Sequence, residues 1–522
     1  MSFIISDRES LRDLCLVLAG EACDNNALVQ AAEAGEEILF AENGAFVLDK
    51  PVNIRRPVKI RGNHACLSGD VPYGIGIYCS DVEVSDLVID KVVKGVMIDA
   101  EDHTAENITL KDLIINDPGF GVGINIGSTK SHGFIHNVLV EGCLINSGYD
   151  EDASEKMGFH DGAMGFNIAA ACPDSSTDED VVGAVIDGLI IQNCRVLGAR
   201  RYGINMLVGI SIPQPGTDFM NMKAKIVDCV IRNMKVLNSE FDYCREMAIV
   251  LSGGCMNNYG SLLENLEIGG CRVVYGICGM GFSGAGPIIP TSVSRNMGMR
   301  HGTIHDNTLI MMDLPVNEPS AAINLTTARS EGFAGVEVYD CFVEDVDIYR
   351  NTVIGADQAI QVVCANSMGD TAVALSNNRI SDVRIYENHI KDSRTAFVFM
   401  AAYAEGRRFD WNWGWRKQDY TFAELSKTHE PTICFYDNVI RNVDCYDNDI
   451  NGCANEIVCV AGLGRGHARF KNNKITENFR YYDNHFERSE GHVNIAGTYY
   501  SDWVRDEGGN EVHIISERGN HE

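Results

Sequence analysis

One pattern of residues recurs four times in the second half of the chain. It is present in the segments YDCFVEDVDIYRNTVI (339–354), NNRISDVRIYENHI (377–390), DNVIRNVDCYDNDI (437–450) and NNKITENFRYYDNHF (472–486). Each copy contains a stretch of alternating apolar and polar residues, then an Asn, then a second short stretch of the same kind. Alternation with a period of two indicates a β-strand, and recurrence of the whole unit indicates a solenoid. The pattern therefore predicts a parallel β-helix.

The Asn of each copy is predicted to stack on the next along the solenoid axis. These residues are Asn351, Asn388, Asn448 and Asn484, and upstream segments place Asp112, Gly142, Asn193, Asp228, Gly270 and Asn307 at the same point. Asn, Asp and Gly tolerate the left-handed backbone conformation of a tight turn. A stacked Asn can also bond the main chains of neighbouring coils.

The residue after this turn is a cysteine on four coils, namely Cys143, Cys194, Cys229 and Cys271. We interpret these four as an inward stack of thiols that serves packing rather than redox or metal chemistry. The 18 cysteines are therefore expected to be mostly reduced. The N-terminus MSFIISDRESLRDLCLVLAG has no basic start followed by an apolar core. We expect a cytoplasmic protein, with export by a non-classical or virion route left open.

A second strand recurs farther along each coil. Its copies are GVGINIG (121–127), AMGFNIA (163–169), YGINMLV (202–208), MAIVLSG (247–253), AAINLTT (321–327), QAIQVVC (358–364), EIVCVAG (456–462) and HVNIAG (492–497). Alternation points the apolar residues inward and predicts exposed side chains at Asn125, Asn167, Asn205, Asn324, Gln361 and Asn494.

The predicted fold is all-β, a single right-handed parallel β-helix of about ten coils. A β-sandwich or a propeller would need hairpin turn signals, which the repeat lacks. Residues 1–50 contain helical spacing in ESLRDLCLVLAG and NNALVQAAEAG, which predicts a capping helix followed by the first strands. Residues 51–522 form the β-helix, and its loop insertions are expected at 148–162, 172–183, 208–222, 284–300 and 403–432.

The formal net charge of −30 disfavours nucleic acid and anionic membranes as partners. It also weighs against a highly anionic polysaccharide, although a local basic groove can override the global field. No run approaches the roughly 20 apolar residues of a membrane-spanning helix.

The repeat pattern resembles the pectate-lyase-like superfamily of right-handed β-helices, which includes glycoside hydrolases, polysaccharide lyases, uronan epimerases and phage tailspikes. The opening ILFAENGAFVLDKPVNIRRPVKIRGN (38–63) is similar to the entry segment of these proteins. The resemblance covers nearly the whole chain and implies a carbohydrate-binding groove over the second, GINI-type strand. The subfamily motifs of polygalacturonases, pectin methylesterases and uronan epimerases are absent from the sequence. The resemblance therefore specifies no subfamily.

Ionisable residues cluster in the turn before the groove strand on three successive coils. They are His160 and Asp161, then Arg200 and Arg201, then Asp242, Arg245 and Glu246. Coils lie ~4.8 Å apart, so the carboxyls of Asp161 and Glu246 are expected on the order of 6 to 10 Å apart, as in inverting glycosidases. Asp242 with Glu246 is a closer alternative pair. We predict catalytic roles for Asp161, Glu246, Asp242, His160 and Arg201; solvation or pairing with arginine is the alternative.

Further residues are predicted to bind the substrate. They are Arg200, Arg245, Asn167, Asn205, Asp357 and Gln361, together with Trp411, Trp413 and Trp415 in the segment GRRFDWNWGWRKQDY (406–420). Exposed indole rings stack on the apolar faces of pyranose rings, whereas packing of the segment on its own solenoid is the alternative. No cofactor is expected. Ca²⁺ is left open at the acidic runs YDEDASE (149–155) and DSSTDED (174–180).

Three functions are consistent with these residues. The first is a glycoside hydrolase or transglycosylase that cleaves a largely neutral oligo- or polysaccharide through paired carboxyls. The second is a polysaccharide lyase or uronan epimerase that uses Arg200, Arg201 and His160. The third is a non-catalytic or tailspike-like glycan binder. The sequence leaves open whether the protein forms a homodimer or a homotrimer.

Overall fold

The apolar residues of the repeat form strands that pair only in parallel. The computed structural model describes residues 2–4, 22–23, 37–40, 42–118, 121–147, 164–173, 178–199, 201–209, 223–244, 247–254, 257–276, 278–286, 291–311, 321–330, 335–367, 372–404, 433–464, 468–488, 492–500 and 505–516. These residues contain 51 strands in three sheets and no helix. Each full coil contributes a strand to sheet 3, then to sheet 1, then to sheet 2.

Sheet 1 has 29 strands, because most coils contribute a long strand and then a short one. Its strands are Ser2–Ile4, Ala22–Cys23, Glu37–Leu39, Ala45–Leu48, Val58–Ser68, Val82–Asp90, Thr104–Lys111, Ile114–Asn116, Phe134–Glu141, Leu144–Asn146, Val185–Gln192, Arg195–Leu197, Val230–Leu237, Glu240–Asp242, Leu262–Gly269, Arg272–Gly276, Gly298–His305, Thr308–Met311, Phe342–Tyr349, Thr352–Ile354, Arg379–Tyr386, His389–Lys391, Val439–Tyr446, Asp449–Asn451, Lys474–Thr476, Arg480–Tyr482, His485–Glu487, Glu511–Val512 and Ile515–Ser516.

Sheet 2 consists of the GINI-type strands and sheet 3 of short strands. Sheet 2 contains Val52–Ile54, Ile75–Ile77, Lys94–Asp99, Val122–Gly127, Met164–Ala171, Tyr202–Gly209, Met247–Ser252, Cys278–Ala285, Ala321–Ser330, Gln358–Ser367, Thr395–Ala404, Asn455–Gly464 and His492–Tyr500. Sheet 3 contains Val181–Val182, Ile226–Val227, Asn258–Tyr259, Val293–Arg295, Val336–Tyr339, Val373–Ser376, Ile433–Tyr436, Ala468–Lys471 and Arg505–Asp506.

The chain is a right-handed parallel β-helix, as the repeat predicts. The inward side chains of sheets 1 and 2 form one long core of mostly Ile, Val, Leu and Phe. A second buried cluster contains most of the inward residues of sheet 3, among them Val338, Leu375 and Phe435. Sheet 2 has 13 strands, so the expected ten or so coils were too few. The first strands, at Val52, Ile75 and Lys94, follow one another closely, because these coils lack sheet 3 strands. They also lack the Asn unit by which coils are recognised in the sequence.

The predicted asparagine ladder is confirmed. Nδ2 of Asn351 donates to Oδ1 of Asn388 at 3.0 Å, Asn388 to Asn448 at 2.9 Å, and Asn448 to Asn484 at 2.8 Å. All four side chains are buried. Asn307 extends the ladder by one coil, with a bond of 2.9 Å to Asn351. The ladder satisfies buried turn backbone that would otherwise lack partners.

The structure contains a second asparagine ladder, which was not predicted from the sequence. Asn378, Asn438, Asn473 and Asn510 stand at the corner before the long strand of sheet 1, and their side chains are joined by bonds of 3.0, 2.9 and 3.0 Å. Their doublets NN and DN are visible in the repeat at 377–378, 437–438 and 472–473. The first residue of each doublet has a positive φ, so both corners use one device, a left-handed residue followed by an inward Asn.

The expected stack of four thiols is wrong in detail. Cys143, Cys194 and Cys271 share the column of the first ladder, because Leu144 pairs with Arg195 and Arg272 with Thr308. Ser239 takes that place on the intervening coil and accepts a bond from the backbone N–H of Cys194. Cys229 instead precedes the long strand and belongs to the other corner, as does Asp228. The turn residues Asp112, Gly142, Asn193 and Gly270 lie one position before the ladder and have positive φ.

The structure shows no disulfide bond among the described cysteines from Cys66 to Cys459. Burial raises the pKa of Cys244, Cys271 and Cys341 to about 12, so these thiols stay protonated and unreactive at neutral pH. We expect an alkylating reagent to label few cysteines in the native protein and most of them after denaturation without a reductant. Mass spectrometry of the labelled chain measures both numbers. Extensive disulfide bonding would overturn the expectation of a reducing, cytoplasmic environment.

The predicted capping helix and several insertions lie largely outside the described residues. Within residues 1–50, the four described strands belong to sheet 1. Two expected insertions, 172–183 and 284–300, contain the sheet 3 strands Val181–Val182 and Val293–Arg295. Strands of two to four residues carry too little alternation to be recognised in a sequence. In the described parts of the chain, no helix is long and apolar enough to cross a membrane.

Candidate functional site

The groove predicted over the GINI-type strand corresponds to the outer face of sheet 2. Strand register places one outward residue of each coil in a continuous column, called here the outer column. It contains Asn53, Gly76, Met97, Asn125, Asn167, Asn205, Val250, Gly281, Asn324, Gln361, Val398, Val458 and Asn494. The alignment of this column by sequence was therefore correct.

The expected exposure of the first three asparagines is wrong. Asn125, Asn167 and Asn205 are at most 8 % exposed. Nδ2 of Asn167 donates to Oδ1 of Asn125 at 2.9 Å, and Nδ2 of Asn205 to Oδ1 of Asn167 at 3.0 Å. Alternation tells which face a side chain points to, but not whether that face is open. Because their amides bond each other, we do not retain Asn167 and Asn205 as substrate ligands.

The outer face of sheet 2 is accessible over four consecutive strands. These are Met247–Ser252, Cys278–Ala285, Ala321–Ser330 and Gln358–Ser367, called here the window. Each has at least one partly exposed outward residue of the outer column or beside it, including Val250, Ser283, Asn324 and Gln361. By contrast, every residue of Met164–Ala171 and of Thr395–Ala404 is buried. The window therefore lies between two coils whose outer-column residues, Asn205 and Val398, are buried.

Asp242 lies on the side of the window where the chain enters sheet 2, which is called here the entry side. It precedes the first window strand by five residues. The short strand Glu240–Asp242 buries Phe241 in the core and turns Glu240 and Asp242 outward. Nη2 of Arg195, on the preceding coil, donates to Oδ2 of Asp242 at 2.8 Å, and its Nε lies 3.1 Å from Oε2 of Glu240. The hydrogen bond to Asp242 raises the pKa of Arg195. One arginine thus holds two carboxylates on the neighbouring strand.

The second carboxylate oxygen of Asp242 is unusual. Asp242 is 7 % exposed, and its Oδ1 is buried without a hydrogen-bond partner in the described structure. A buried acceptor without a partner is destabilising by about 1–3 kcal/mol, so its presence calls for an explanation. A ligand or a water at Oδ1 would supply the missing donor. Among the predicted catalytic residues, Asp242 is the one for which the described geometry indicates such a role.

Other predicted site residues already have protein partners. Asp357 forms a bidentate ion pair with Arg394 of the next coil. The Nε–Oδ1 distance is 2.6 Å and the Nη2–Oδ2 distance is 3.2 Å. The Arg201 guanidinium lies 5.1 Å from the centre of the Tyr202 ring. Gln361 is part of the window. The structure therefore places Asp357 at the margin of the window rather than on its floor.

The remaining predicted residues lie outside the described part of the chain. They are His160, Asp161, Arg200, Arg245, Glu246, Trp411, Trp413 and Trp415. The separation of Asp161 from Glu246 therefore stays a prediction, and so does sugar stacking on the tryptophans.

A small cleft opens at the opposite, exit side of sheet 2, beyond strand Val122–Gly127. Its volume is about 240 Å³, and it is lined by Asp102, Thr129, Lys130, Ser131, Glu179, Asp180 and Val181. Lys130 pairs with Glu179 at 3.2 Å. The described carboxylates of the acidic run 174–180 also bond the backbone of the next coil, Asp178 to Lys223 N and Asp180 to Lys225 N. Among the described residues, no cluster of three or more His, Cys, Asp or Glu is arranged to hold a metal ion.

Sequence reasoning missed Arg195, Glu240 and the window. Arg195 is 47 residues from Asp242 in the chain, and only the parallel register of Arg195 with Glu240 brings them together. The alternation RVL and EFD was a usable signal, since it turns the first and third residues of both short strands outward.

No protein-family model and no curated protein sequence matches the chain. The structure is similar to PfbA, a surface adhesin of Streptococcus pneumoniae, with a TM-score of 0.46 and 14% identity over 78% of this chain and 93% of that chain. It is also similar to an exopolygalacturonase from Thermotoga maritima, with a TM-score of 0.36 and 9% identity over 97% and 91% of the two chains. A mannuronic acid specific polysaccharide family 6 lyase from human gut microbiota gives a TM-score of 0.31 and 12% identity over 85% and 87%. Likenesses of this degree say nothing about activity.

Proposed function

We propose that this protein binds a carbohydrate on the outer face of sheet 2 and hydrolyses a glycosidic bond with Asp242 as one of two carboxyl groups. The observation that carries the proposal is the buried Asp242, with Oδ2 bonded to Arg195 and Oδ1 without a partner among the described residues. Its position beside the partly exposed strands of the window supports it. So does the resemblance of the repeat to a superfamily rich in carbohydrate-active enzymes.

Glycoside hydrolysis needs one carboxyl group that donates a proton to the leaving oxygen and another that is ionised. Arg195 places a positive charge 2.8 Å from Oδ2 of Asp242. We therefore assign Asp242 the role of the ionised base or nucleophile. Its oxygen Oδ1 would face the reacting carbon or its attacking water, while Arg195 holds Oδ2 in place.

The acid partner is proposed from the sequence. Glu246 follows Asp242 by four residues on the same coil, and Asp161 lies two coils earlier. We favour Glu246 because it is on the same coil as Asp242, which is the carboxylate with a described unpaired oxygen. Asp161 is kept as the alternative. His160, Arg200, Arg201, Arg245, Asp357, Gln361 and the three tryptophans at 411, 413 and 415 remain proposed contacts of the substrate.

The test is incubation of the full chain with a panel of oligo- and polysaccharides. New reducing ends without absorbance from unsaturated products would support hydrolysis. Unsaturated products would replace it with a lyase mechanism, in which arginine and histidine act on a uronate. Binding without any bond cleavage would make the protein a glycan-binding module.

A further inference from the structure

Apart from one arginine, the four strands of the window contain only uncharged residues. Their outward side is called here the floor of the window. Its four strands read MAIVLS, CGMGFSGA, AAINLTTARS and QAIQVVCANS. Arg329 is the one charged residue in them, and it lies at the exit end and is itself engaged in an interaction. At the entry margin, Asp357 is neutralised by Arg394. A ligand on this floor therefore meets no unpaired charge from the four strands.

Two columns of hydrogen-bonding groups cross the window side by side. In the outer column Gly281, Asn324 and Gln361 lie in register on successive coils. In the neighbouring outward column Ser252, Ser283 and Thr326 also lie in register, and of these three Ser283 is partly exposed while Ser252 and Thr326 are buried. Coils are ~4.8 Å apart, so the amides of Asn324 and Gln361 are neighbours along the axis. Thr326 Oγ1 donates to Asn324 Oδ1 at 2.9 Å. This bond fixes the amide of Asn324 and directs its Nδ2 donor away from Thr326.

Gly281 is the position of the window at which the outer column has no side chain. A Cβ at this position would lie 2.2 Å from the backbone oxygen of Asn324, so the backbone geometry requires glycine. Gly281 is itself buried, because atoms of Asn324 occupy the place of a side chain. The partly exposed residues of the outer column within the window are therefore Val250, Asn324 and Gln361.

Amide and hydroxyl groups both donate and accept hydrogen bonds, which matches the hydroxyls of a sugar. A carboxylate placed on the same floor would lose hydration without gaining a counter-charge, which is strongly unfavourable. We propose that the window is a subsite for an uncharged glycan segment, bound by the amides of Asn324 and Gln361. This inference rests on the proposed function and narrows its substrate to glycans without carboxylates at this subsite.

The experiment compares polyuronates with their carboxyl-reduced forms and with other uncharged polymers. Affinity electrophoresis of the full chain is run in gels that contain polygalacturonate or alginate, their carboxyl-reduced forms, and the uncharged polymers galactan, mannan, xylan and β-glucan. We expect retardation by at least one uncharged polymer and no retardation by the polyuronates. Asn324→Ala and Gln361→Ala should each weaken the retained interaction about tenfold, the effect of losing one or two hydrogen bonds between neutral groups.

Asn494→Ala is the matched control, since Asn494 occupies the outer column on the last strand and is exposed. It should leave the interaction unchanged, and equal melting temperatures of all three variants exclude a loss of folding. Preferential binding of a polyuronate, retention that is unchanged in both window variants, or no retention by any polymer would each overturn the proposal. Retention of an uncharged polymer without cleavage would instead overturn only the hydrolytic function. Cleavage of a polyuronate would be consistent with the proposed catalysis but would contradict the proposed uncharged subsite.

Discussion

Asp242→Asn is expected to lower turnover of the cleaved glycan by about 10²- to 10⁴-fold while the substrate concentration at half-maximal rate changes little. The amide keeps the shape of the side chain and can still contact Arg195, but it can neither ionise nor accept a proton. A group that acts in the transition state shows its loss in kcat rather than in binding. Steady-state kinetics of the purified variant and its melting temperature are the measurements.

Glu240→Gln is the matched control for this variant. Glu240 lies two residues away on the same short strand and contacts the same Arg195, at 3.1 Å, but its side chain is 43% exposed. It should retain turnover near that of the wild type. Equal losses in the two variants would mean that charge balance at Arg195, rather than Asp242 itself, controls the rate. Full activity of Asp242→Asn would remove Asp242 from the mechanism.

The partner carboxyl is identified by Glu246→Gln and Asp161→Asn in the same assay. With Asp242 and Glu246 as the pair, Glu246→Gln is severe and Asp161→Asn is nearly silent. Two carboxyls about 5 Å apart then favour retention of configuration, which NMR of the first-formed product reads directly. The opposite result, a severe Asp161→Asn, would favour the wider spacing of an inverting enzyme.

Asn448→Ala is expected to be strongly destabilising, by about 3–5 kcal/mol. Its Oδ1 accepts from both the backbone N–H and the Nδ2 of Asn388, at 3.1 and 2.9 Å. Its Nδ2 donates to Ile385 O at 3.0 Å and to Asn484 Oδ1 at 2.8 Å. Alanine removes these four bonds, and a fifth from Nδ2 to Tyr446 O at 3.0 Å, at a buried corner. The free energy of unfolding in urea measures the change, and hydrogen exchange localises it.

The loss should centre on the coils next to Asn448, because in a solenoid each coil contacts only its neighbours. Asn494→Ala again serves as the control, since an exposed Asn with the same side chain should change stability by no more than about 0.5 kcal/mol. A similar small change in Asn448→Ala would show that the ladder contributes little to stability and that core packing dominates.

The parallel β-helix, the recurring strands of sheets 1 and 2 and the ladder from Asn351 to Asn484 were predictable from local sequence patterns. These features repeat within one coil, since a left-handed turn residue followed by an inward Asn and then by alternating residues is a local signal. The outer column was also readable, because each GINI-type strand contains its own inward and outward positions. The sheet 3 strands were not readable, because two to four residues are too few for a period to emerge.

Which of these residues contact each other depends on how the coils stack. Coils here differ in length, so residues that are equivalent in space are separated by a variable number of residues in the chain, such as 47 between Arg195 and Asp242 and 60 between Asn388 and Asn448. This is why Cys229 was assigned to the wrong corner and Arg195 was missed. Burial of Asn125, Asn167 and Asn205 likewise depends on how open the outer face of sheet 2 is over each coil. Alternation fixes the direction of a side chain, whereas exposure is a property of everything packed around it.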